Sequence, residues 1–160
     1  MGYTLPRTWV VGELVTKSML DEQIRDNISY LYLTMNTKTL VWRVIPELVP
    51  VTVGDDKARI PIPSELNGFE LIRIHATIDG LSTSGVVTVQ LYNITQAVDI
   101  LSTPITIDEG EDSSYTAAIQ PVIASANRLV ATDNRIRCDV DTGGTGTKGL
   151  VVFMTYRIVI

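Results

Sequence analysis

The sequence predicts a mainly β protein: a jelly-roll-like antiparallel β-sandwich preceded by an N-terminal extended arm and one short α-helix. Three observations lead there. From Leu40 onward the chain is a series of short β-branched or aromatic runs of period two. Turn-forming stretches such as "GDD", "PSELNG", "GLSTSG", "DEGEDSS", "TDN" and "DTGGTGT" separate these runs. The helical periodicity, by contrast, lies ahead of them, between Ser18 and Leu31. At 160 residues the chain has room for one compact domain and an extension, and a domain of that size buries roughly 70% of the surface of its unfolded chain.

Taken in order, "YTLPRTWVVGELV" combines a proline, the aromatic anchor Trp9 and a glycine, which predicts an extended arm with a turn at Gly12. Ser18, with Asp21 three residues on, is placed to cap a helix. Leu20, Ile24, Ile28 and Leu31 then follow at spacings of four, four and three, while Asp21, Glu22, Arg25 and Asp26 take the opposite face. A one-sided helix this short is marginal alone in water, so its apolar stripe calls for a partner, either the body of the chain or another chain. The expected division is an arm-and-helix segment over 1–48 and a sandwich over 49–160.

The expected strands are "LVWRVI", "LVPVTV", "KARIPI", "FELIRIHATID", "GVVTVQLYNI", "VDILSTPITI", "AAIQPVI", "NRLVAT", "RIRCDV" and "KGLVVFMTYRIVI". Strands at this spacing with no helix between them indicate two packed sheets. The last run is apolar on both faces: Leu150, Val152, Met154, Tyr156, Ile158 and Ile160 share one, and Val151, Phe153 and Val159 share the other with Thr155 and Arg157. A strand with one wetted face does not read this way. The second face is therefore expected to be covered by a neighbouring subunit or by the arm, in keeping with a mean hydropathy of +0.20.

The chemistry is sparse. The net charge of −5 argues against nucleic acid or an anionic membrane as partner, since both require clustered Lys and Arg. The first residues show no basic region followed by an apolar run, so no secretory signal is expected, and the long uncharged segment 80–98 is too rich in Ser, Thr, Gln and Asn for a bilayer. Cys138 is the single cysteine and His75 the single histidine, which leaves no intrachain disulfide and no Cys/His zinc site. Cys138 alternates with Ile136 and Val140 and is expected in the core; His75 alternates with Leu71 and Arg73 and is expected on a strand face without a chemical role. "DTGGTGTKG" lacks both the spacing and the following helix of a phosphate loop. Asp108, Glu109, Glu111 and Asp112, with Asp139 and Asp141, lack the alternating ligand spacing of a calcium loop, and nothing selects from them a catalytic carboxylate pair. No metal, cofactor or enzymatic activity is expected.

Two segments carry a resemblance. "PRTWVVGELVTKSMLDEQIRDNISYL" resembles the opening of tailed-bacteriophage virion proteins, in which a "W-x-x-G-E-x-x-T" run precedes a helix bearing "I-R-D-N"; here these positions are Trp9, Gly12, Glu13, Thr16 and Ile24 to Asn27. The stretch containing "VDILST", "TIDEGEDSSYTAA", "PVI" and "IRCDVDTGGTGTKGL" is similar to a β-rich terminal module of phage fibre-like and other surface virion proteins. The resemblance implies a structural component of a short fibre, head fibre, decoration or neck type, made in the host bacterial cytoplasm and residing in the virion. It further implies a homo-oligomer, expected to be a trimer, contacting capsid, neck or tail proteins. A carbohydrate-binding adhesin that holds host surface glycan on exposed loops is the alternative. The candidate interface comprises Trp9, Leu20, Ile24, Ile28, Leu31, Val151, Phe153 and Val159.

Overall fold

The computed structural model describes residues 4–5 and 7–159, apart from the side chains of 33–35; Pro6 and Ile160, used in the readings above, lie outside the described residues. The chain divides into two compact units, Met1–Thr37 and Lys38–Ile160.

The second unit is a mainly β body in which the chain alternates between two antiparallel sheets. One sheet has the order β1 (Thr37–Pro50), β10 (Lys148–Ile158), β3 (Phe69–Thr77). The other has the order β2 (Gly54–Pro61), β9 (Arg135–Gly143), β4 (Val87–Asn93), β5 (Val98–Asp99), with β7 (Ile105–Ile107) also paired to β4. β6 (Leu101–Thr103) and β8 (Val122–Ile123) form a small third sheet. Successive strands β1 to β4 change sheet at every step and β9 to β10 changes back, which is the winding of a jelly roll. The segment 128–130 runs along the free edge of β3, with Leu71 N–H donating to Arg128 O at 2.8 Å and Val130 N–H to Phe69 O at 3.0 Å. It thereby gives the first sheet a fourth line of chain.

The core is made by the inward residues of both sheets. Val87, Val89 and Leu91 alternate inward on β4, Ile136, Cys138 and Val140 on β9, and Leu150, Val152, Met154 and Tyr156 on β10. Cys138 is fully buried there, as its alternation predicts.

Several expectations need correcting. The run "LVWRVI" and the first half of "LVPVTV" are one strand, β1, which passes straight through Pro46 and ends at Pro50, so that 51–53 lie outside any strand. β1 is an edge strand, where a residue lacking N–H is tolerated. Because β1 belongs to the sheet, the division between units falls at Thr37/Lys38 and not at 48/49. "GDD" is part of β2, bent by the left-handed Asp56 (φ 58°), and not a turn before it. "VDILSTPITI" breaks into β5, β6 and β7, the middle piece leaving β4 to pair with β8. Thr155 and Tyr156 of β10 face Arg73 and Leu71 of β3 across a bulge. That bulge turns Leu71 into the core and leaves Arg73 and His75 outward, so the simple alternation of the three does not hold.

The first unit is a helix with an arm folded along it. The helix comprises α1 (Lys17–Leu20), a π-helical stretch (Asp21–Asp26) and α2 (Asn27–Met35), longer than the periodicity from Ser18 to Leu31 suggests. Its cap is Thr16 and not Ser18: Thr16 Oγ1 accepts from Met19 N–H at 3.3 Å, and Thr16 N–H reaches back to Met19 Sδ at 3.4 Å.

Candidate assembly surface

The arm returns onto the helix through a turn at Val11 and Gly12, where Glu13 N–H donates to Val10 O at 3.0 Å. Gly12 has φ 85°, a conformation that side chains with a Cβ adopt at a cost. Glu13 pairs with the Arg7 guanidinium and also accepts from Val10 N–H, and Arg7 in turn lies over the Trp9 ring, 4.9 Å from its centroid. Further along, Arg7 N–H donates to Gln23 Oε1 at 2.8 Å. Asn27 clamps the far end of the arm: its Oδ1 accepts from Thr4 N–H and its Nδ2 donates to Thr4 O, both at 2.9 Å, and Nδ2 also reaches Gln23 O at 3.2 Å. Asn27 is the one buried residue of this unit among those described.

The same unit carries its apolar side chains outward. Leu20, Ile24, Ile28 and Leu31 are 42 to 61% exposed, and Leu5, Val10, Val11 and Leu14 of the arm are more exposed still. Trp9, the expected anchor, is partly open as well.

The second candidate surface, the outer face of β10, is less open than expected. Val151 is already only 7% exposed within the single chain. Phe153 is half-buried and stacks against His75 of β3, with centroids 4.4 Å apart and planes 3° apart. Tyr115 closes over the other side of His75 at 4.3 Å, and its hydroxyl shares a 3.0 Å hydrogen bond with His75 Nδ1. Of the three residues expected at that interface, Val159 is the one left well exposed. Burial, and after it the positive charge of Arg73, holds the His75 pKa below its ordinary value.

Burial pushes the Cys138 thiol up to about 12, with the nearby Asp139 and Asp141 charges acting in the same direction, so it is a poor nucleophile. Asp141 is likewise shifted upward, first by burial and then by the neighbouring carboxylates of Asp139, Asp55 and Asp99. Three carboxylates of the acidic loop accept hydrogen bonds that hold the loop and its neighbours: Asp108 Oδ2 accepts from Ala118 N–H at 2.8 Å, Glu109 Oε2 from Gly85 N–H at 3.3 Å and Glu111 Oε2 from the Thr116 hydroxyl at 2.6 Å. The glycine-rich loop is pinned to the neighbouring 82–85 turn, with Thr145 N–H donating to Ser84 O and Thr83 N–H to Thr145 O, each at 2.9 Å. Among the described residues no group of three His, Cys, Asp or Glu side chains is placed to hold a metal ion, and no helix is long and apolar enough to cross a membrane.

No protein-family model matches the chain, and no curated protein matches it.

Proposed function

We propose that the chain is a non-enzymatic structural component of a bacteriophage virion, which oligomerises and attaches through its first unit and displays the β-sandwich on the particle surface. The observation that carries this reading is the arm–helix unit itself: five described positions of the motif that resembles virion proteins each have a definite task in building it. Trp9 receives Arg7, Gly12 makes the turn, Glu13 holds Arg7, Thr16 caps the helix and Asn27 clamps the arm. A structure so specified, with its apolar side chains turned outward, is suited to being covered by other chains. Of the two parts of the expected interface, the exposure of the arm and helix, together with the partial cover of Phe153 by His75 and Tyr115, favours the first unit over the outer face of β10 as the trimer contact.

The test is the mass of the purified chain by light scattering at micromolar concentration, alongside that of a double variant Ile24→Asp/Ile28→Asp. Charges placed in a covered apolar stripe oppose association, because a desolvated unpaired carboxylate is costly. The wild type is expected as a homo-oligomer, a trimer foremost, and the variant as a monomer. A monomeric wild type that also fails to sediment with particles would sink the proposal.

A further inference from the structure

The second unit holds an open cleft of about 690 Å3 between β3 and the loop 115–128, within the roughly 300–1,000 Å3 range of small-ligand sites. Arginines from three separate segments line it: Arg73 of β3, Arg128 beside the edge of β3, and Arg157 of β10. Arg128 and Arg157 flank one carboxylate, that of Glu70, which is 5% exposed; Arg128 Nε lies 3.0 Å from Oε2 and Arg157 Nη2 2.5 Å from Oε1. One buried negative charge thus faces two cations. Arg73 adds a third positive charge, and its side chain makes no ion pair or hydrogen bond among the described residues. The cleft is therefore positive in a chain whose net charge is −5.

Its other polar groups keep some hydrogen-bonding capacity free. Gln120 commits Nε2 to the carbonyls of Ser114, Tyr115 and Ala117, which fixes the loop and leaves Oε1 as an acceptor. Ser125 makes no hydrogen bond among the described residues, and Arg157 Nε is buried without a partner. The Tyr115 ring, held by its stack and hydrogen bond on His75, is exposed at the rim. Guanidinium groups match the planar oxyanion of a carboxylate. A hydroxyl, an amide oxygen and a fixed aromatic face suit a polyhydroxylated ring with one apolar side.

We infer that this cleft is a binding site for an acidic saccharide, whose carboxylate is taken by Arg73 and Arg128 and whose hydroxyls are read by Ser125 and Gln120. The inference goes beyond the assembly reading and does not depend on it.

The test is calorimetric titration of the full chain with digalacturonic acid, with the neutral disaccharide galactobiose and with inorganic phosphate. Digalacturonic acid is expected to bind saturably and more tightly than either of the other two. Arg73→Gln is expected to weaken it about tenfold, the worth of one charged hydrogen bond. Thermal unfolding of Arg73→Gln should match the wild type, since Arg73 supports no ion pair. Arg128→Gln, which leaves Glu70 its Arg157 partner, should weaken binding similarly. Absence of saturable binding at millimolar acid sugar would overturn the inference. Equal affinity for the neutral disaccharide would do so too, as would phosphate binding as tightly as the sugar acid, or an Arg73→Gln affinity equal to that of the wild type. The oligomeric mass, which reads the assembly proposal, is measured separately, so either can fail alone.

Discussion

His75 is held between the Phe153 ring and the Tyr115 hydroxyl, with Arg73 nearby, and both burial and that charge oppose its protonation. The unfolded imidazole takes up a proton around pH 6.5, whereas the folded one does so only at a lower pH. The folded state therefore gains stability from His75 above about pH 6.5, and this contribution is lost as the pH falls from there through the lowered folded pKa. Other groups titrate over the same range, so the quantity to measure is the difference in urea midpoint between wild type and His75→Gln. Glutamine takes up no proton, and the wild-type advantage is expected to narrow as the pH is lowered from about 7.5 to about 5.5. A gap independent of pH would show that the stacked ring is not coupled to folding through its charge. Cys138 stands at the opposite extreme, since its raised pKa keeps it a neutral core residue throughout the physiological range.

At the scale of elements, the arm and helix depend on Asn27 more than on any other described contact, because one side chain serves both backbone groups of Thr4. Asn27→Ala leaves those two groups to water and is expected to cost the arm about 1–3 kcal/mol of attachment. Hydrogen exchange should show Thr4 and Arg7 amides losing protection while core amides such as those of β4 keep theirs; unchanged protection at Thr4 would refute the clamp. Little of this was legible beforehand. The turn at Gly12 was, because a glycine in an extended run beside a proline and Trp9 announces itself, whereas Asn27 read only as the last position of "I-R-D-N", with nothing to give it the task of a clamp. The strands were legible where one face is buried, as in β4, β9 and β10. They were misread where topology overrides pattern: Pro46 inside an edge strand, the bulge opposite Thr155, and a run that leaves β4 for β8 at Leu101. The cleft could not be seen at all, since Arg73, Arg128 and Arg157 meet through sheet pairing across segments with no motif spacing.

For the whole molecule, the question is whether the sandwich needs the first unit. Every buried hydrophobic residue among those described lies between Trp42 and Tyr156, so the core of the body draws no side chain from Met1–Thr37. β1 is held through its pairing with β10, and Trp42, Val44 and Ile45 give it three buried side chains. Several buried polar side chains likewise find their partners within the body. Glu70 has Arg128 and Arg157, Asn93 donates to Asn134 Oδ1 at 3.1 Å, and Ser114 Oγ accepts from Ala76 N–H at 2.9 Å. Removing residues 1–37 therefore takes no side chain from this core and no partner from these groups, and the truncated chain is expected to keep its β-type circular dichroism and to unfold cooperatively. Its melting temperature should lie within a few degrees of the full chain's, the shift that a change of about 1 kcal/mol produces in a domain of this size. A cut at residue 48 should behave differently: it takes away most of β1 with Trp42, Val44 and Ile45, uncovers one edge of β10, and is expected to abolish cooperative folding. If the chain cut at 37 lost its β signal while the chain cut at 48 kept it, the division at Thr37/Lys38 would be wrong and β1 would belong with the arm.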